Sequence, residues 1–320
     1  MSYSPYRSKP VTTTSSRRKV PIPSKSAWEL LQEQQQQQST STPYLLHPTL
    51  PLHIGGVTEL VGPAGSGKTQ LCISAACDVL LSSENNANNN SVLYVMLAQD
   101  RSGATAWRLQ GMLQARQRQS QTQNTTMELQ PLLRRFWMRS IRNQDELLEL
   151  VHSELPPFLQ KQHSKRSSPV RLVVFDGLAH LFRVAENYME RSSTFFELSS
   201  RLKQLSLEYQ VSILCTNQVT SRIIIPSSDG RSSLYNTDNH LQPALGLSWA
   251  QCCNASFMIQ RNNNNKRRRL VPQRSPSLDR RTHSVVFELQ AQGGVVVVTT
   301  EEEDDETNNT KEDGTTMILP

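Results

Sequence analysis

The chain has 320 residues, enough for one large domain or two small ones. Apolar side chains make up 36%, and glycine brings the share to about 40%, below the average for a globular protein, so we expect a folded centre with polar tails and insertions. No apolar run approaches the ~20 residues that span a bilayer, the first ten residues lack an apolar signal segment, and the five cysteines include no CxxC pair. These features argue against a membrane span, a secretory signal, and a disulfide or zinc framework.

Charge and composition divide the chain into three segments. Residues 1–50 are rich in Ser, Thr, Pro and Gln and include Gln34–Gln38, which predicts a disordered polar tail. Residues 51–299 predict the folded domain, and residues 300–320 predict an acidic disordered tail. The last segment carries a net charge of −7. Because the whole chain carries a net charge of +6, residues 1–299 carry +13. A basic body with an acidic tail favours a polyanionic partner, and the alternative is that the charges only keep the chain soluble.

Hydrophobic patterning predicts strands that alternate with helices. Continuous apolar runs predict strands at Val57–Val61, Val92–Ala98, Phe136–Ile141, Val170–Phe175 and Val211–Thr216. Helical periodicity predicts helices at Thr69–Leu81, Trp107–Leu113, Asp145–Leu159 and Phe195–Tyr209. Strands buried on both faces and separated by helices predict an α/β fold with a mostly parallel sheet and helices on both faces.

The C-terminal part of the folded segment predicts strands without helices between them. The strands are Ala255–Gln260, Val285–Leu289 and Val295–Thr299. We expect them to form hairpins that add an antiparallel edge to the sheet, with the basic run Lys266–Arg269 in a loop. That run and Arg17–Lys19 fit a nuclear-import signal or a nucleic-acid patch, and a solvated charge run is the alternative.

Residues 62–69 match the phosphate-loop pattern GxxxxGK(S/T), between a predicted strand and a predicted helix. Gly65 and Gly67 allow the backbone to curl so that N–H groups face phosphate oxygens, and the helix N-terminus adds partial positive charge. Lys68 reaches the β- and γ-phosphates, and the Thr69 hydroxyl ligates Mg²⁺. The predicted cofactors are therefore ATP and Mg²⁺, held by Gly62, Pro63, Ala64, Gly65, Ser66, Gly67, Lys68, Thr69 and Gln70.

Two further polar positions follow predicted strands. Arg171–Asp176 is an apolar strand that ends in a carboxylate, the Walker B pattern, so Asp176 is a second predicted Mg²⁺ ligand beside Thr69. Asn217 and Gln218 follow the strand at 211–216 and place amides at the same sheet edge. An amide there can sense the γ-phosphate, which makes Gln218 a candidate sensor, or it can simply cap the strand.

These motifs resemble the eukaryotic branch of the RecA-type recombinase family, and within it the paralogues that are not themselves recombinases. The resemblance covers about residues 52–299. It rests on Gly56–Leu60, Gly67–Leu71, Arg171–Asp176, Leu181–Arg183, Leu214–Val219, Pro243–Ala250, Arg280–Thr282, Phe287-Glu288 and Gly293–Val295.

The resemblance implies a RecA-like core that binds ATP between subunits and acts on single-stranded or junction DNA in homologous recombination. It implies a nuclear protein that pairs with another paralogue in a hetero-oligomer and supports filaments of the strand-exchange recombinase. Two mobile loops would face DNA, near Arg183–Ser193 and Val219–Leu245. The implied phosphate contacts in a basic groove are Arg183, Arg191, Arg222 and Arg231, and solvated surface arginines are the alternative.

The chain departs from this family at the position of the catalytic glutamate. Gln99 occupies that position, and an amide can orient water but cannot accept its proton. Asp100 would substitute if the register shifts by one. The candidate catalytic residues are therefore Lys68, Gln99, Asp100 and Gln218. We also expect the N-terminal helical DNA-binding domain of full recombinases to be absent.

Three functions fit the sequence. The first is a DNA-stimulated ATPase in which Lys68 stabilises the transferred charge. The second is a nucleotide-gated adaptor, in which ATP locks a subunit interface and hydrolysis is negligible, and Gln99 favours this one. The third is another RecA-like ATPase such as a helicase-type motor, against which Pro243–Ala250 argues.

Overall fold

A computed structural model describes residues 44–47, 50–82, 90–97, 103–120, 129–164, 168–182, 187–221, 241–261, 267–275, 284–290 and 295–298. All of them belong to the unit Pro43–Pro320. The predicted site residues that lie outside the described residues are Gln99, Asp100, Arg183, Arg222 and Arg231.

The strands form one large sheet and two small pairs. The strands are β1 (Tyr44–His47), β2 (Leu50–Leu52), β3 (Val57–Val61), β4 (Ser91–Met96), β5 (Phe136–Ser140), β6 (Val170–Asp176), β7 (Ser212–Asn217), β8 (Val219–Ser221), β9 (Leu241–Pro243), β10 (Ala255–Arg261), β11 (Arg267–Arg274), β12 (Val285–Leu289) and β13 (Val295–Val298). The large sheet has the order β13-β12-β11-β10-β3-β7-β6-β4-β5. The strands from β10 to β5 in this order are parallel, and β11, β12 and β13 are antiparallel.

The described helices are α1 (Lys68–Leu81), α2 (Ala104–Ser120), α3 (Leu129–Leu133), α4 (Gln144–Glu149), α5 (Leu155–Ser164), α6 (Tyr188–Tyr209) and α7 (Gly246–Cys252). A π-helical segment, Leu150–Glu154, joins α4 to α5. Pro156 and Pro157 follow it and have no N–H to donate, so the chain widens and the Leu155 N–H bonds to Leu150 O. None of these helices is both long and apolar enough to cross a membrane.

Alternation along the central strands divides the buried side chains into two cores. Leu93 and Val95 of β4 face a first core under α4, α5, α6 and α7. Val92 and Tyr94 of the same strand face a second core under α1, α2 and α3, which β10, β11 and β12 extend. The central parallel strands are therefore covered on both faces, which explains their continuous apolar sequences, whereas the edge strand β5 contains no buried residue. The predicted α/β fold with its C-terminal antiparallel strands is confirmed.

The prediction for the basic run near residue 266 is wrong in part. Arg267, Arg268 and Arg269 lie in β11 rather than in a loop. The strand is paired on both sides, with β10 and with β12. Backbone pairing with two neighbours therefore outweighs the weak strand preference of consecutive charged side chains.

Two helices are longer than their sequence pattern indicates. Helix α2 continues to Ser120 through a Gln-rich stretch, because Gln and Arg are good helix formers. Arg116 ties that half to α1 through Asp78 and the Ser74 hydroxyl. Helix α6 begins at Tyr188, where the side chain of Asn187 accepts a hydrogen bond from the Met189 N–H (3.0 Å) and caps the first turn.

The β1–β2 hairpin lies across the predicted end of the polar tail at residue 50. The sequence does not predict this hairpin. The three segment boundaries stay predictions.

Candidate nucleotide-binding site

The phosphate loop follows β3, and two backbone hydrogen bonds hold it in place. The Gly62 N–H donates to Asn217 O on the neighbouring strand β7 (3.3 Å), and the Ser66 N–H donates to Pro63 O within the loop (3.2 Å). Gly65 and Gly67 have φ angles of +74° and +105°, which side chains with a Cβ rarely adopt. The loop therefore has the curled backbone that its glycines predict.

The loop leads into the N-terminus of α1 at Lys68. No side chain caps this end of the helix, and its first turn contains no acidic residue. The positive end of the helix dipole therefore faces the loop, and no acidic residue of the first turn compensates it. This is the environment that a phosphate group requires, so the loop fits the phosphates of a nucleotide.

Lys68 reaches back across the loop. Its ammonium group donates to Gly62 O at 2.7 Å and to Pro63 O at 2.8 Å. Partial burial lowers the pKa of Lys68, and the negative charge of Asp176 opposes this shift. The positive charge thus lies over the phosphate loop, where phosphate oxygens can replace the two carbonyl groups.

Asp176 is the meeting point of three hydroxyl groups. Its Oδ2 accepts hydrogen bonds from Thr69 Oγ1 on α1 and Tyr94 OH on β4, both at 2.8 Å. Its Oδ1 accepts one from Thr216 Oγ1 on β7 at 2.6 Å. Burial, and next the charge of Asp176, raise the pKa of Tyr94 well above its ordinary value, so the phenol stays a donor.

The pair Thr69 and Asp176 fits a Mg²⁺ ion. Mg²⁺ prefers oxygen ligands, and in nucleotide sites it takes one or two from the protein and the rest from water and phosphate. Among the described residues no group of three or more His, Cys, Asp or Glu could hold a metal by itself. A hydroxyl and one carboxylate beside a phosphate loop match the ligands that a nucleotide-bound Mg²⁺ takes from a protein.

A second carboxylate, Glu59 on β3, is buried next to the loop. It is 0% exposed, and its two oxygens accept hydrogen bonds from Asn217 Nδ2 and Ser256 Oγ, both at 2.8 Å. Burial raises the pKa of Glu59, and these two hydrogen bonds oppose the shift. The backbone carbonyl of Asn217 also accepts a hydrogen bond from the Gly62 N–H. Asn217 therefore joins β7 to both β3 and the phosphate loop.

The two amides after β7 have different environments. Asn217 is buried, and its side-chain amide donates a hydrogen bond to Glu59 on the neighbouring strand. Gln218 is half-buried, and its carbonyl accepts the Ala244 N–H at 2.8 Å, beside the β8–β9 pair. The sensor role predicted for Gln218 stays a prediction.

Sequence reasoning missed Tyr94, Thr216 and Glu59. Each is a polar residue within an apolar strand, and this contrast is the only signal that the sequence offers. Their partners lie far along the chain, with Tyr94 and Asp176 separated by 82 residues and Glu59 and Asn217 by 158.

Comparison with known proteins identifies the family. A family model described as an AAA domain matches residues 23–221. The chain is 30% identical to the DNA repair protein XRCC3 homolog of Arabidopsis thaliana over 219 residues, which cover 64% of this chain and 69% of the relative. It is 28% identical to DNA repair protein XRCC3 of Mus musculus over 266 residues, which cover 81% of this chain and 72% of the relative. The chain belongs to the XRCC3-like RAD51 paralogues.

Proteins named RAD51 homologues form a second group of relatives. DNA repair protein RAD51 homolog 4 of Mus musculus is 30% identical over 201 residues, which cover 62% of this chain and 53% of the relative. The resemblance to recombinase paralogues that the motifs indicate is thus confirmed.

Of the arginines that this family resemblance implies as DNA contacts, Arg191 is described. It lies on α6, since the helix begins at Tyr188 and takes in part of the predicted loop 183–193. Its guanidinium carbon is 5.7 Å from the centre of the Tyr188 ring and 6.0 Å from that of Phe195. Arg191 therefore packs on two aromatic rings of its own helix. Of the predicted loop 219–245, the described ends pair as β8 and β9.

Replacing Glu59 should change how stability depends on pH. Because burial raises its pKa above the ordinary 4.5, the folded protein binds this proton more tightly than the unfolded chain does. The stability that it contributes is present at low pH and is lost as the pH rises from 4.5 through the raised pKa. We expect the free energy of unfolding, from urea titrations at a series of pH values, to fall over this range more steeply for the natural protein than for Glu59→Gln.

Glu149→Gln, on the exposed side of α4, is the control and should follow the natural protein. Parallel curves for the natural protein and Glu59→Gln would contradict the raised pKa.

Proposed function

We propose that this XRCC3-like paralogue binds ATP with Mg²⁺ and acts in the repair of DNA double-strand breaks by homologous recombination. The observation that carries the ATP site is the hydrogen bond from Thr69 to Asp176 beneath an uncapped helix N-terminus. The relatives carry the repair role, since their names describe DNA repair proteins.

Each residue of the site has a defined task in this proposal. The loop Gly62–Thr69 binds the phosphates through its N–H groups, and Lys68 exchanges its two carbonyl contacts for phosphate oxygens. Thr69 and Asp176 hold the metal ion. Tyr94 and Thr216 orient the Asp176 carboxylate through hydrogen bonds to its two oxygens. When it binds, ATP-Mg²⁺ would supply the binding energy that orders the site. Where ATP is hydrolysed, it would also supply the phosphoanhydride bond that is cleaved.

The basic body of the chain suggests which partners the protein binds. We infer that the protein binds single-stranded or junction DNA, because residues 1–299 carry a net charge of +13. Its other partners are another RAD51 paralogue and the strand-exchange recombinase, in a hetero-oligomer within the nucleus. Arg183, Arg222 and Arg231 stay candidate DNA contacts.

A nucleotide-gated adaptor is the second candidate function, and Gln99 is the observation that favours it. An amide at the position of the catalytic base lets ATP bind and close a subunit interface while hydrolysis stays negligible. The site residues Lys68, Thr69 and Asp176 are needed in both cases.

The variant Lys68→Ala should weaken nucleotide binding, since it removes the charge that lies over the phosphate loop. We expect its affinity for ATP-Mg²⁺, measured by titration calorimetry, to fall at least tenfold. Lys161→Ala is the matched control, because Lys161 is exposed on α5, which packs on the opposite face of the sheet. An unchanged affinity in Lys68→Ala would show that the loop is not the nucleotide site.

Steady-state ATPase activity separates the enzyme from the adaptor. We expect negligible turnover by the natural protein, with or without single-stranded DNA, and measurable turnover by Gln99→Glu, because a carboxylate restores a base beside the attacking water. DNA-stimulated turnover by the natural protein would instead make it an ATPase that activates water through Asp100 or a neighbouring subunit. If neither protein hydrolyses ATP, ATP binding must be measured with the partner paralogue present before either function is retained.

If the protein binds DNA, its affinity for DNA should depend steeply on the salt concentration. The logarithm of the affinity for a single-stranded oligonucleotide should fall with the logarithm of the salt concentration, by about 0.7 per phosphate contacted. Arg222→Ala and Arg231→Ala should each reduce this slope, whereas Arg134→Ala, at an exposed turn after α3, should leave it unchanged. A flat salt dependence, measured by fluorescence anisotropy, would indicate a protein partner in place of DNA.

A further inference from the structure

The topology of the sheet brings the start of β11 to the phosphate loop. Strand β10 runs parallel to β3, with Met258 beside Val61, the last residue before the loop. Strand β10 then extends to Arg261, so its end is level with the loop. Strand β11 returns antiparallel, and Arg268 pairs with Arg261. Arg268 therefore lies at the edge of the sheet where the nucleotide phosphates bind in the proposed function.

Alternation along β11 sends the arginines to opposite faces. Arg268 shares its face with Leu270 and with its partner Phe287 on β12, which belong to the core under α1. Arg267 and Arg269 lie on the other face. The Nε of Arg267 is 3.4 Å from Glu288 Oε1, and that of Arg269 is 3.1 Å from Ser284 Oγ. Arg268 is thus the arginine of this run that faces the phosphate loop and α1.

Arg268 and Leu289 touch the loop at Gly67. A Cβ at Gly67 would lie 2.8 Å from Leu289 Cδ1 and 3.6 Å from both Cδ and Nε of Arg268. A methyl group at this position would therefore clash with Leu289, in addition to the strain of the left-handed φ. Gly67 directly precedes Lys68 and Thr69, so the Arg268 guanidinium group lies next to the residues that hold phosphate and metal.

The electrostatic surroundings of Arg268 favour an anion. Partial burial, and next the like charge of Arg261, lower the pKa of Arg268. Glu288 on β12 forms an ion pair with Arg267 on the other face of the strand. Arg268 thus places a cation beside Gly67 at the uncapped N-terminus of α1, and this arrangement favours a negatively charged phosphate chain.

We propose that Arg268 binds the phosphate chain of the nucleotide, so that the β11–β12 hairpin completes the ATP site within the same chain. The proposal rests on the proposed ATP-binding function. A guanidinium group suits this role because its planar set of N–H donors matches phosphate oxygens and its charge is not lost at neutral pH.

The test is a titration of fluorescent mant-ATP and mant-ADP, each with Mg²⁺, into the full-length protein. Arg268→Met removes the charge and keeps an unbranched apolar stem against Gly67 and Leu289. We expect its affinity to fall about ten- to hundredfold, as for the loss of a hydrogen bond from a charged donor. Arg268→Lys should recover part of the loss. Arg269→Met, one residue along the strand and on the opposite face, should bind as the natural protein does.

Controls separate this inference from the proposed function and from misfolding. If Lys68→Ala loses affinity while Arg268→Met does not, the ATP site stands and the role of Arg268 is overturned. If neither variant changes affinity, the ATP site itself is overturned. Melting temperatures without nucleotide identify a purely structural role, since Arg268→Met would then melt earlier and still bind normally. Should that variant not fold, Arg268→Gln gives the same comparison.

Discussion

The convergence of three hydroxyl groups on the Asp176 carboxylate is the interaction on which the site depends. The donors come from α1, β4 and β7, and the acceptor ends β6, so one side chain fixes the relative positions of four elements. This is possible because parallel strands all end at one edge of the sheet. Hydrogen bonds to a charged acceptor are stronger than those between neutral groups. The carboxylate is thereby oriented before any ligand arrives, and Thr69 is held in place at the start of α1.

Glu59 shows how the same chemical group serves a different purpose two strands away in the sheet. Asp176 lies half-buried at the edge, where a cation can reach it, whereas Glu59 is enclosed within the sheet and its pKa is raised by burial. Its hydrogen bonds to Asn217 and Ser256 connect β3 to both of its neighbours, β7 and β10. A buried carboxyl with satisfied oxygens fixes the register of these strands. Asn217 then carries that register to Gly62, the first residue of the phosphate loop.

The sequence is sufficient for the parts of the molecule that are encoded locally. The phosphate loop follows from eight consecutive residues, α1 follows from its helical periodicity, and the buried strands follow from their apolar runs. Other parts depend on partners that are distant in sequence. Tyr94 and Thr216 read as ordinary strand residues until the sheet brings them to Asp176. The run Arg267–Arg269 reads as part of a basic loop until β10 and β12 pair with it on either side. Local propensity is a weak signal in such cases, because tertiary contacts decide the outcome.

The phosphate loop takes its shape from both of its neighbouring strands as well as from its own glycines. At its start, Gly62 is bound to the end of β7, and at its end, Gly67 lies against Leu289 of β12 and Arg268 of β11. Gly67 has little room on the side of Leu289, because a Cβ there would lie 2.8 Å from Leu289 Cδ1. The loop therefore has structural neighbours on two sides. One side leads through Gln218 to the β8–β9 pair, and the other leads to the C-terminal hairpin. The phosphate loop thus contacts both segments, which are the places where a nucleotide-gated adaptor would have to respond to its ligand.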